Sequence, residues 1–192
     1  MQGIDSNFYG TTSQGGSGSG CVYNGPCGTV FKMTPEGSLT TLYNFSAGSN
    51  GANPGAALIQ GTDGDFYGTT GNNGGVALPS SCCGTVFKIT TSGTLTTLYG
   101  FSGSDGAMPA SALVQGTHGS FYGTTSKGGA YSSGTVFSIT PTGTLLTLHS
   151  FCAQISPCPD GLNPGGLVLG TDGNFVRNDL WRWDQHRRWW HG

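Results

Sequence analysis

The stretch Phe66-Tyr67-Gly68-Thr69-Thr70, followed at residues 84–87 by Gly-Thr-Val-Phe, occurs three times along the chain in almost the same form. Its first block starts at Phe8, Phe66 and Phe121, so successive copies lie 58 and 55 residues apart. Two further blocks recur in fixed order with it: Leu-Thr-Thr-Leu-Tyr, from Leu39 and Leu95 with a variant from Leu145, and Ala-Leu-Ile-Gln-Gly, from Ala57 with variants from Ala112 and Gly166. Self-similarity at this period indicates one supersecondary unit per repeat.

Each block has the pattern of a β-strand. The larger side chains alternate along residues 39–45, which places them on one face of a strand. Asp63-Gly64 and Pro35-Glu36-Gly37 separate neighbouring blocks and are typical of tight hairpin turns. Four strands per repeat in meander order predict an all-β fold of tandem four-stranded antiparallel blades of about 55 residues, an incomplete β-propeller. A sandwich or a β-solenoid is the alternative, although solenoid coils are usually much shorter than ~50 residues.

The composition limits the classes of partner. The chain of 192 residues contains 36 glycines, 8% charged residues and 11% aromatic residues. No strict Gly-X-Y period is present, which excludes collagen, and the aromatic content argues against disorder. A net charge of −2 is too small to indicate nucleic-acid binding, and no apolar run could span a bilayer. We therefore expect neither a nucleic-acid partner nor membrane insertion.

The repeats occupy residues 1–175. Counted from the Gly-Thr-Val-Phe blocks, they form units of roughly 1–27 (partial), 28–83, 84–133 and 134–175. Met1 takes the place of Ile59 or Val114 inside a strand block, and the chain starts without the basic and apolar regions of a secretory signal peptide. We expect that upstream repeats and a signal peptide belong to the parent protein.

Residues 176–192 break the repeat. They hold all four tryptophans, four of the seven basic residues and one glycine, a composition typical of segments that bind single-stranded nucleic acid or membrane surfaces. Tryptophan has a single codon, TGG, and a one-base shift turns Trp189-Trp190 into glycine codons. Plausible codons for this tail, shifted by one base, spell the missing Tyr-Gly-Thr-Thr and a glycine-rich loop. We interpret the tail as the product of a frameshift and not as a domain.

The cysteines lie in the loops whose length varies between repeats. Local disulfides are predicted for Cys21–Cys27 and Cys152–Cys158, with a vicinal bond for Cys82–Cys83, and such bonds require an oxidising compartment. Metal binding fits poorly, because no Cys-x-x-Cys pair or nearby histidine completes a tetrahedral site. Free buried thiols are the remaining alternative.

No sequence motif of a catalytic, cofactor-binding or metal-binding site occurs. We therefore predict no catalytic residue, no cofactor-binding residue and no metal ligand. His118 and His149 are the only histidines before the tail and are interpreted as variation within the repeat. Aspartates share one turn position in three repeats, at Asp5, Asp63 and Asp172, and Asn50, Asp105 and Asp160 share another; we interpret all of them as turn formers rather than as calcium ligands.

The strings Gly-Thr-Val-Phe-Lys-Ile-Thr (84–90), Gly-Thr-Leu-Thr-Thr-Leu-Tyr-Gly-Phe (93–101) and Phe-Tyr-Gly-Thr-Thr (121–125) resemble the choice-of-anchor tandem repeat proteins of the GloVer type. The resemblance covers residues 1–175. It implies an exported, bacterial, propeller-like protein with no assigned catalytic residues.

These observations predict a glycine-rich, non-catalytic scaffold, secreted or at the cell surface, that uses no cofactor and binds a carbohydrate or protein partner. The alternative is part of a β-propeller enzyme, such as a lactonase, hydrolase or lyase, whose site lies on blades outside this segment. Three complete repeats fall short of the ~4–8 blades that close a propeller, so exposed blade edges are expected to make the segment self-associate.

Overall fold

A computed structural model describes residues 1–21, 27–46, 48–72, 83–109, 111–153 and 158–177. Across these ranges no helix is long and apolar enough to cross a membrane. The strands in these ranges are β1 (Phe8–Thr12), β2 (Thr29–Met33), β3 (Leu39–Asn44), β4 (Ile59–Gln60), β5 (Phe66–Thr70), β6 (Thr85–Ile89), β7 (Leu95–Gly100), β8 (Val114–Gln115), β9 (Phe121–Thr125), β10 (Thr135–Ile139), β11 (Leu145–Ser150), β12 (Leu167–Leu169) and β13 (Phe175–Arg177).

The strands form four antiparallel sheets, which we number blades 1 to 4 in chain order. Their strand orders are β1-β2-β3, β4-β5-β6-β7, β8-β9-β10-β11 and β12-β13. Beside β1, the backbone of Met1 exchanges two hydrogen bonds with Tyr9, as Ile59 pairs with Tyr67 in blade 2. The prediction of an all-β fold with four-stranded antiparallel blades is confirmed.

Each blade begins at a different block from the repeat units that were counted from Gly-Thr-Val-Phe in the sequence. Blade 2 runs from the Ala-Leu-Ile-Gln block to the Leu-Thr-Thr-Leu block, that is, from β4 to β7. A count from Gly-Thr-Val-Phe therefore cuts each blade between its second and third strands. The offset arises because the chain completes a whole meander before it crosses to the next blade.

Each blade has two faces, because successive side chains of a strand point to opposite sides. We call the side toward the preceding blade the rear face and the other side the forward face. In β5, Phe66 lies on the rear face and stacks on Tyr9, with ring centroids 3.9 Å apart. Tyr67 lies on the forward face and stacks on Phe121 at the same distance. The alternation Phe-Tyr thus links three blades.

The hydrophobic core is divided into layers between blades. The forward face of one blade supplies tyrosine and valine, and the rear face of the next supplies phenylalanine and isoleucine. The residues of these two layers that are at most 1% exposed include Tyr9, Val30, Phe66, Phe87 and Ile89 in the first, and Tyr67, Val86, Phe121, Phe137 and Ile139 in the second. Because each core layer is formed by two adjacent blades, the contacts between adjacent blades provide most of the stability.

The glycine of Phe-Tyr-Gly makes room for an aromatic ring. A Cβ atom at Gly68 would lie 2.6 Å from Cζ of Phe87 and 2.7 Å from Cδ2 of Leu58. Gly123 has the same relation to Phe137, at 2.6 Å. The third residue of the block is therefore glycine because the ring on the neighbouring strand lies directly over the backbone.

The outer strand of each complete repeat carries a β-bulge. The register between β2 and β3 shifts so that Leu42 has no partner, and Leu98 and Leu148 are skipped in the same way. A bulge bends and twists an edge strand, which makes it a poorer template for pairing with another strand.

The connections between blades contain an unusual backbone conformation. Asn53, Met108 and Asn163, each followed by proline, have φ angles of 57°, 56° and 51°. The N–H of Met108 donates to the carbonyl of Cys83 on the preceding blade, as that of Asn53 does to Cys27. The Asn53 side chain also donates to the carbonyl of Ser13 at 2.7 Å. Methionine fits this left-handed conformation poorly, whereas asparagine tolerates it.

We expect Met108→Asn to raise the free energy of unfolding by about 1 kcal/mol, because it relieves left-handed strain and can add a hydrogen bond to the Gly71 carbonyl. The reciprocal change, Asn53→Met, should lower stability by a similar amount. Chemical denaturation of both variants and the unchanged chain measures the effect. Equal midpoints for all three would contradict the assignment of strain to residue 108.

Candidate functional site

The two ends of the blades differ in their loops. Antiparallel order places tight hairpins such as 34–38 and 61–65 at one end, which we call the hairpin end. The segments after Phe-Tyr-Gly-Thr-Thr and the connections between blades meet at the other, the loop end. There the N–H of Ser17 donates to Oδ1 of Asn44 at 2.8 Å, and Gly129 donates to the carbonyl of Gly103 at 2.9 Å. The described parts of the segments whose length varies therefore lie at the loop end.

The described cysteines lie at the loop end. Cys21 is bonded to Cys27, with Cα atoms 5.3 Å apart, and Cys152 to Cys158, with Cα atoms 4.7 Å apart. Both bonds join residues six positions apart. Cys82 lies outside the described residues, so the vicinal pair stays a prediction; Cys83 is buried, and no described cysteine is free. Each observed disulfide thus closes one loop locally.

At the hairpin end, an aspartate holds the stacking tyrosine. The hydroxyl of Tyr9 donates to Oδ2 of Asp5 at 2.8 Å, and that of Tyr67 to Oδ2 of Asp63 at 2.6 Å. Oδ1 of each aspartate accepts the N–H two residues later, at 3.2 Å, which closes the turn. These aspartates therefore form the turn and also fix the stacked ring. In the third repeat His118 takes the aspartate's place, and its Nδ1 lies 3.2 Å from the Thr117 hydroxyl.

These contacts shift the pKa values of both tyrosines and of Asp5. Burial, with the hydrogen bond to Asp5, raises the pKa of Tyr9 to about 12. Burial, with the hydrogen bond to Asp63, raises the pKa of Tyr67. The hydrogen bond from the Asn7 side chain, followed by the bond from Tyr9, lowers the pKa of Asp5 to about 2. At neutral pH Tyr9 is therefore a neutral phenol that donates to the Asp5 carboxylate.

At the loop end, a second polar contact ties the outer strand to the connection that follows it. Its three versions join the side chains of Asn50 to Tyr43 at 2.8 Å, Tyr99 to Asp105 at 2.5 Å, and His149 to Asp160 at 2.9 Å. His149 thus makes the contact that tyrosine makes elsewhere. The sequence pattern predicts only a turn role for the loop residues, and the contact was not predicted; the polar residue that recurs at each of the two positions was the available signal.

Hydrogen bonds from Tyr99 and Ser102 lower the pKa of Asp105 although burial acts in the opposite direction. The bond to Asp105, ahead of burial, raises the pKa of Tyr99 to about 12. The carboxylate is therefore held charged by its strand and its own turn.

A glutamine on the inner strand joins adjacent blades. Oε1 of Gln60 accepts the N–H of Ile4 at 2.9 Å, and its Nε2 donates to the carbonyl of Gly64 at 2.9 Å. Gln115 repeats this with Thr62 and Gly119, both at 3.1 Å. This role was not predicted from the sequence; the recurrence of glutamine in the Ala-Leu-Ile-Gln block was the available signal.

Two lysines at equivalent strand positions form ion pairs with aspartates at different positions of the preceding turn. Nζ of Lys88 lies 3.1 Å from Asp65, and Nζ of Lys32 lies 3.6 Å from Asp5. Exposed pairs of this kind contribute little, ~0–1 kcal/mol each. Among the described residues, no group of three His, Cys, Asp or Glu side chains is placed to hold a metal ion. The recurring contacts of ionisable groups are those of the aspartates with tyrosine or histidine.

Removing the Tyr67 hydroxyl should destabilise the fold. We expect Tyr67→Phe to lower the free energy of unfolding by about 1–2 kcal/mol, because the Asp63 carboxylate loses a buried donor. Tyr122→Phe is the matched control, since residue 118 is histidine, and should cost less than about 0.5 kcal/mol. In a His118→Asp background the control should become as costly as Tyr67→Phe. Equal losses for Tyr67→Phe and Tyr122→Phe in the unchanged background would refute the role of the aspartate.

Stability should fall at alkaline pH. The folded pKa of Tyr9 and Tyr99 is about 12, above the unfolded value of ~10. Their contribution is therefore complete below pH ~10 and is lost as the pH rises toward about 12. Urea unfolding from pH 8 to 12, read beside tyrosinate absorbance, should show late ionisation that coincides with unfolding. Complete, reversible ionisation of all tyrosines near pH 10 in a folded protein would contradict this.

Comparison with known proteins supports the fold. The structure of periplasmic gluconolactonase PpgL from Pseudomonas aeruginosa is 18% identical, with a TM-score of 0.53, and the match covers 91% of this chain and 47% of that one. A candidate 6-phosphogluconolactonase from Bacteroides uniformis is 16% identical, with a TM-score of 0.47 and the same coverage. The chain spans about half the length of these proteins, and this likeness concerns the fold alone. No curated protein matches the chain.

The family is shown by a different comparison. A model of the Gloeobacter/Verrucomicrobia repeat matches residues 1–178, a range that contains all the strands from β1 to β13. The resemblance inferred from the recurring blocks is therefore confirmed. The chain belongs to the Gloeobacter/Verrucomicrobia repeat family.

Proposed function

We propose that this chain is a non-catalytic scaffold of an exported protein, and that its loop end binds a partner, in the first instance a neutral carbohydrate. The observation that carries the proposal is the use of ionisable side chains. Asp5 and Asp63 hold tyrosines, and Asp105 and Asp160 tie strands to connections. Acid–base catalysis needs non-equivalent groups that converge on one substrate. Recurring structural contacts favour a scaffold instead.

The loop end has the properties of a binding surface. From Phe-Tyr-Gly to Gly-Thr-Val-Phe the offsets are 20, 18 and 13 residues, while the strands keep their lengths. Surface loops that vary on a rigid framework commonly carry recognition. The described loop residues are mostly glycine, serine and asparagine, and Tyr131 is 48% exposed. An aromatic ring among neutral hydrogen-bonding groups suits an uncharged sugar, because the ring contacts C–H groups and the neighbours bond hydroxyls.

Export is supported by the disulfides. Bonds such as Cys21–Cys27 and Cys152–Cys158 persist in oxidising compartments and are rare in the cytosol. We therefore place the parent protein outside the cell or at its surface as part of the same proposal.

Affinity electrophoresis tests the proposal. The full chain is run in native gels that contain soluble β-glucan, xylan or galactan, and we expect retardation by at least one of them. Tyr131→Ala, at the loop end, should reduce the retardation at least ~3-fold, because a stacked aromatic contributes about 0.5–1.5 kcal/mol. Ile4→Ala is the matched control, since Ile4 is 87% exposed at the hairpin end. Its mobility should equal that of the unchanged chain.

The same preparation is assayed for lactone hydrolysis with and without added divalent cations. Sustained turnover would overturn the non-catalytic assignment and favour a propeller enzyme. Mobility unchanged by every polysaccharide would overturn the carbohydrate assignment.

A further inference from the structure

The turn of blade 3 at the hairpin end keeps the backbone of the other turns. Gly116 donates to the carbonyl of Ser120 at 2.9 Å, and Gly119 donates to that of Gly116 at 3.1 Å. The corresponding hydrogen bonds of the turn at 61–65 measure 2.9 and 3.0 Å. The φ angles of Gly119 and Gly64 are 83° and 87°. The backbone donors of the two turns are therefore held in the same arrangement.

The tyrosine that follows this turn also keeps its place. The ring of Tyr122 lies against Phe175 of the next blade, with centroids 4.3 Å apart, as the ring of Tyr67 lies against Phe121 at 3.9 Å. Both tyrosines pair with the first strand of their own blade in the same register. The two hydroxyl groups therefore lie at equivalent positions of their blades.

The acceptor side chain is different in blade 3. In blade 2 the carboxylate of Asp63 accepts from the Tyr67 hydroxyl at 2.6 Å and from the N–H of Asp65 at 3.2 Å. His118 takes the place of Asp63 in blade 3, and its Nδ1 lies 3.2 Å from the Thr117 hydroxyl. The imidazole thus replaces a carboxylate and contacts a different group.

Three donors of blade 3 consequently lose the acceptor that their counterparts have. Within the ranges that the structure describes, no group accepts a hydrogen bond from the Tyr122 hydroxyl or the Ser120 N–H. The N–H of Thr117 has no acceptor in these ranges either, because Leu169 stands on blade 4 where Gln115 stands on blade 3. Tyr122 and Ser120 are half-buried. Donors that are partly shielded from water gain most from an acceptor that carries charge.

The turn of blade 3 also lacks negative charge. Residues 116–120 contain no aspartate or glutamate, whereas residues 3–7, 61–65 and 170–174 each contain at least one aspartate. An anion that approaches the donors of blade 3 therefore meets no carboxylate of the same turn. In the other blades the turn's own aspartate would repel it.

We propose that the turn at 116–120 and Tyr122 bind the carboxylate of a small ligand, in the place that the Asp63 side chain takes in blade 2. One carboxylate oxygen accepts the N–H of Ser120 and the other accepts the Tyr122 hydroxyl. These are the two bonds that Asp63 itself makes in its own blade. The site lies at the hairpin end and is independent of carbohydrate binding at the loop end.

The donor arrangement selects one carboxylate rather than a larger anion. The two donors are two residues apart in the chain, and in blade 2 their counterparts converge on the two oxygens of a single carboxylate. Acetate reproduces that group as a free molecule and is therefore the probe. Binding through two hydrogen bonds to a charged acceptor is expected to be weak, with a dissociation constant of about 10 mM.

Thermal unfolding in sodium acetate tests the proposal. At about 100 mM acetate the melting temperature of the unchanged chain should be about 2–5 °C higher than in sodium chloride of the same ionic strength. His118→Asp restores an internal carboxylate, so it should remove this difference. The same variant should melt at a higher temperature than the unchanged chain in sodium chloride, which shows that it is folded.

NMR titration with acetate locates the site. The backbone amide of Ser120 should shift progressively in the unchanged chain, and Tyr122→Phe should raise the dissociation constant roughly 10-fold, because one of the two bonds is lost. Tyr67→Phe is the matched control, since Asp63 still occupies the equivalent place in blade 2, and it should leave the affinity unchanged. A Ser120 amide that acetate does not move, or an equal rise in melting temperature for the unchanged chain and His118→Asp, would overturn the proposal.

Discussion

A tyrosine of one blade stacked on a phenylalanine of the next is the contact on which the rest of this structure depends. It requires a two-residue alternation, since the phenylalanine must face backward and the tyrosine forward from one strand. It requires glycine as the third residue, because the Phe87 ring covers the backbone at Gly68. It also requires an acceptor for the hydroxyl, which Asp63 supplies from the hairpin that precedes the strand. The repeated Phe-Tyr-Gly triplet and the turn before it thus determine how adjacent blades pack against each other.

This arrangement explains why the polar residues are so regular. Tyr67, Asp63 and Gln60 all act at the boundary between blades, where a wrong side chain would disturb two sheets at once. His149 shows how much variation is tolerated, because the imidazole reaches Asp160 as the Tyr99 hydroxyl reaches Asp105. Sequence and length therefore vary mainly at the loop end, and this variation makes the loop end the candidate surface for binding a partner.

The sequence alone was sufficient to predict the features that depend on neighbouring residues in the chain. Alternation along residues 39–45 and the turn at Asp63-Gly64 depend on neighbours in the chain, so the strands, hairpins and blade architecture could be predicted. The bond between Ile4 and Gln60 joins residues 56 positions apart, and no local pattern distinguishes that glutamine from an exposed one. The strand with which each blade begins could not be predicted either, because a periodic sequence can be divided into equal repeats from any starting point. For the candidate site, the sequence showed only which loops vary in length. The geometry of the site could not be predicted, because it depends on how the connections cross from one blade to the next.

The two observed disulfides have a consequence for how such chains change in length. Each joins cysteines six positions apart within one loop, and neither links one blade to another. Recombination between repeats can therefore add or remove a whole blade without separating a cysteine from its partner. Oxidation also needs no long-range search, because the two cysteines of each observed pair lie six positions apart in the same loop. The two observed disulfides are thus as modular as the repeats that carry them.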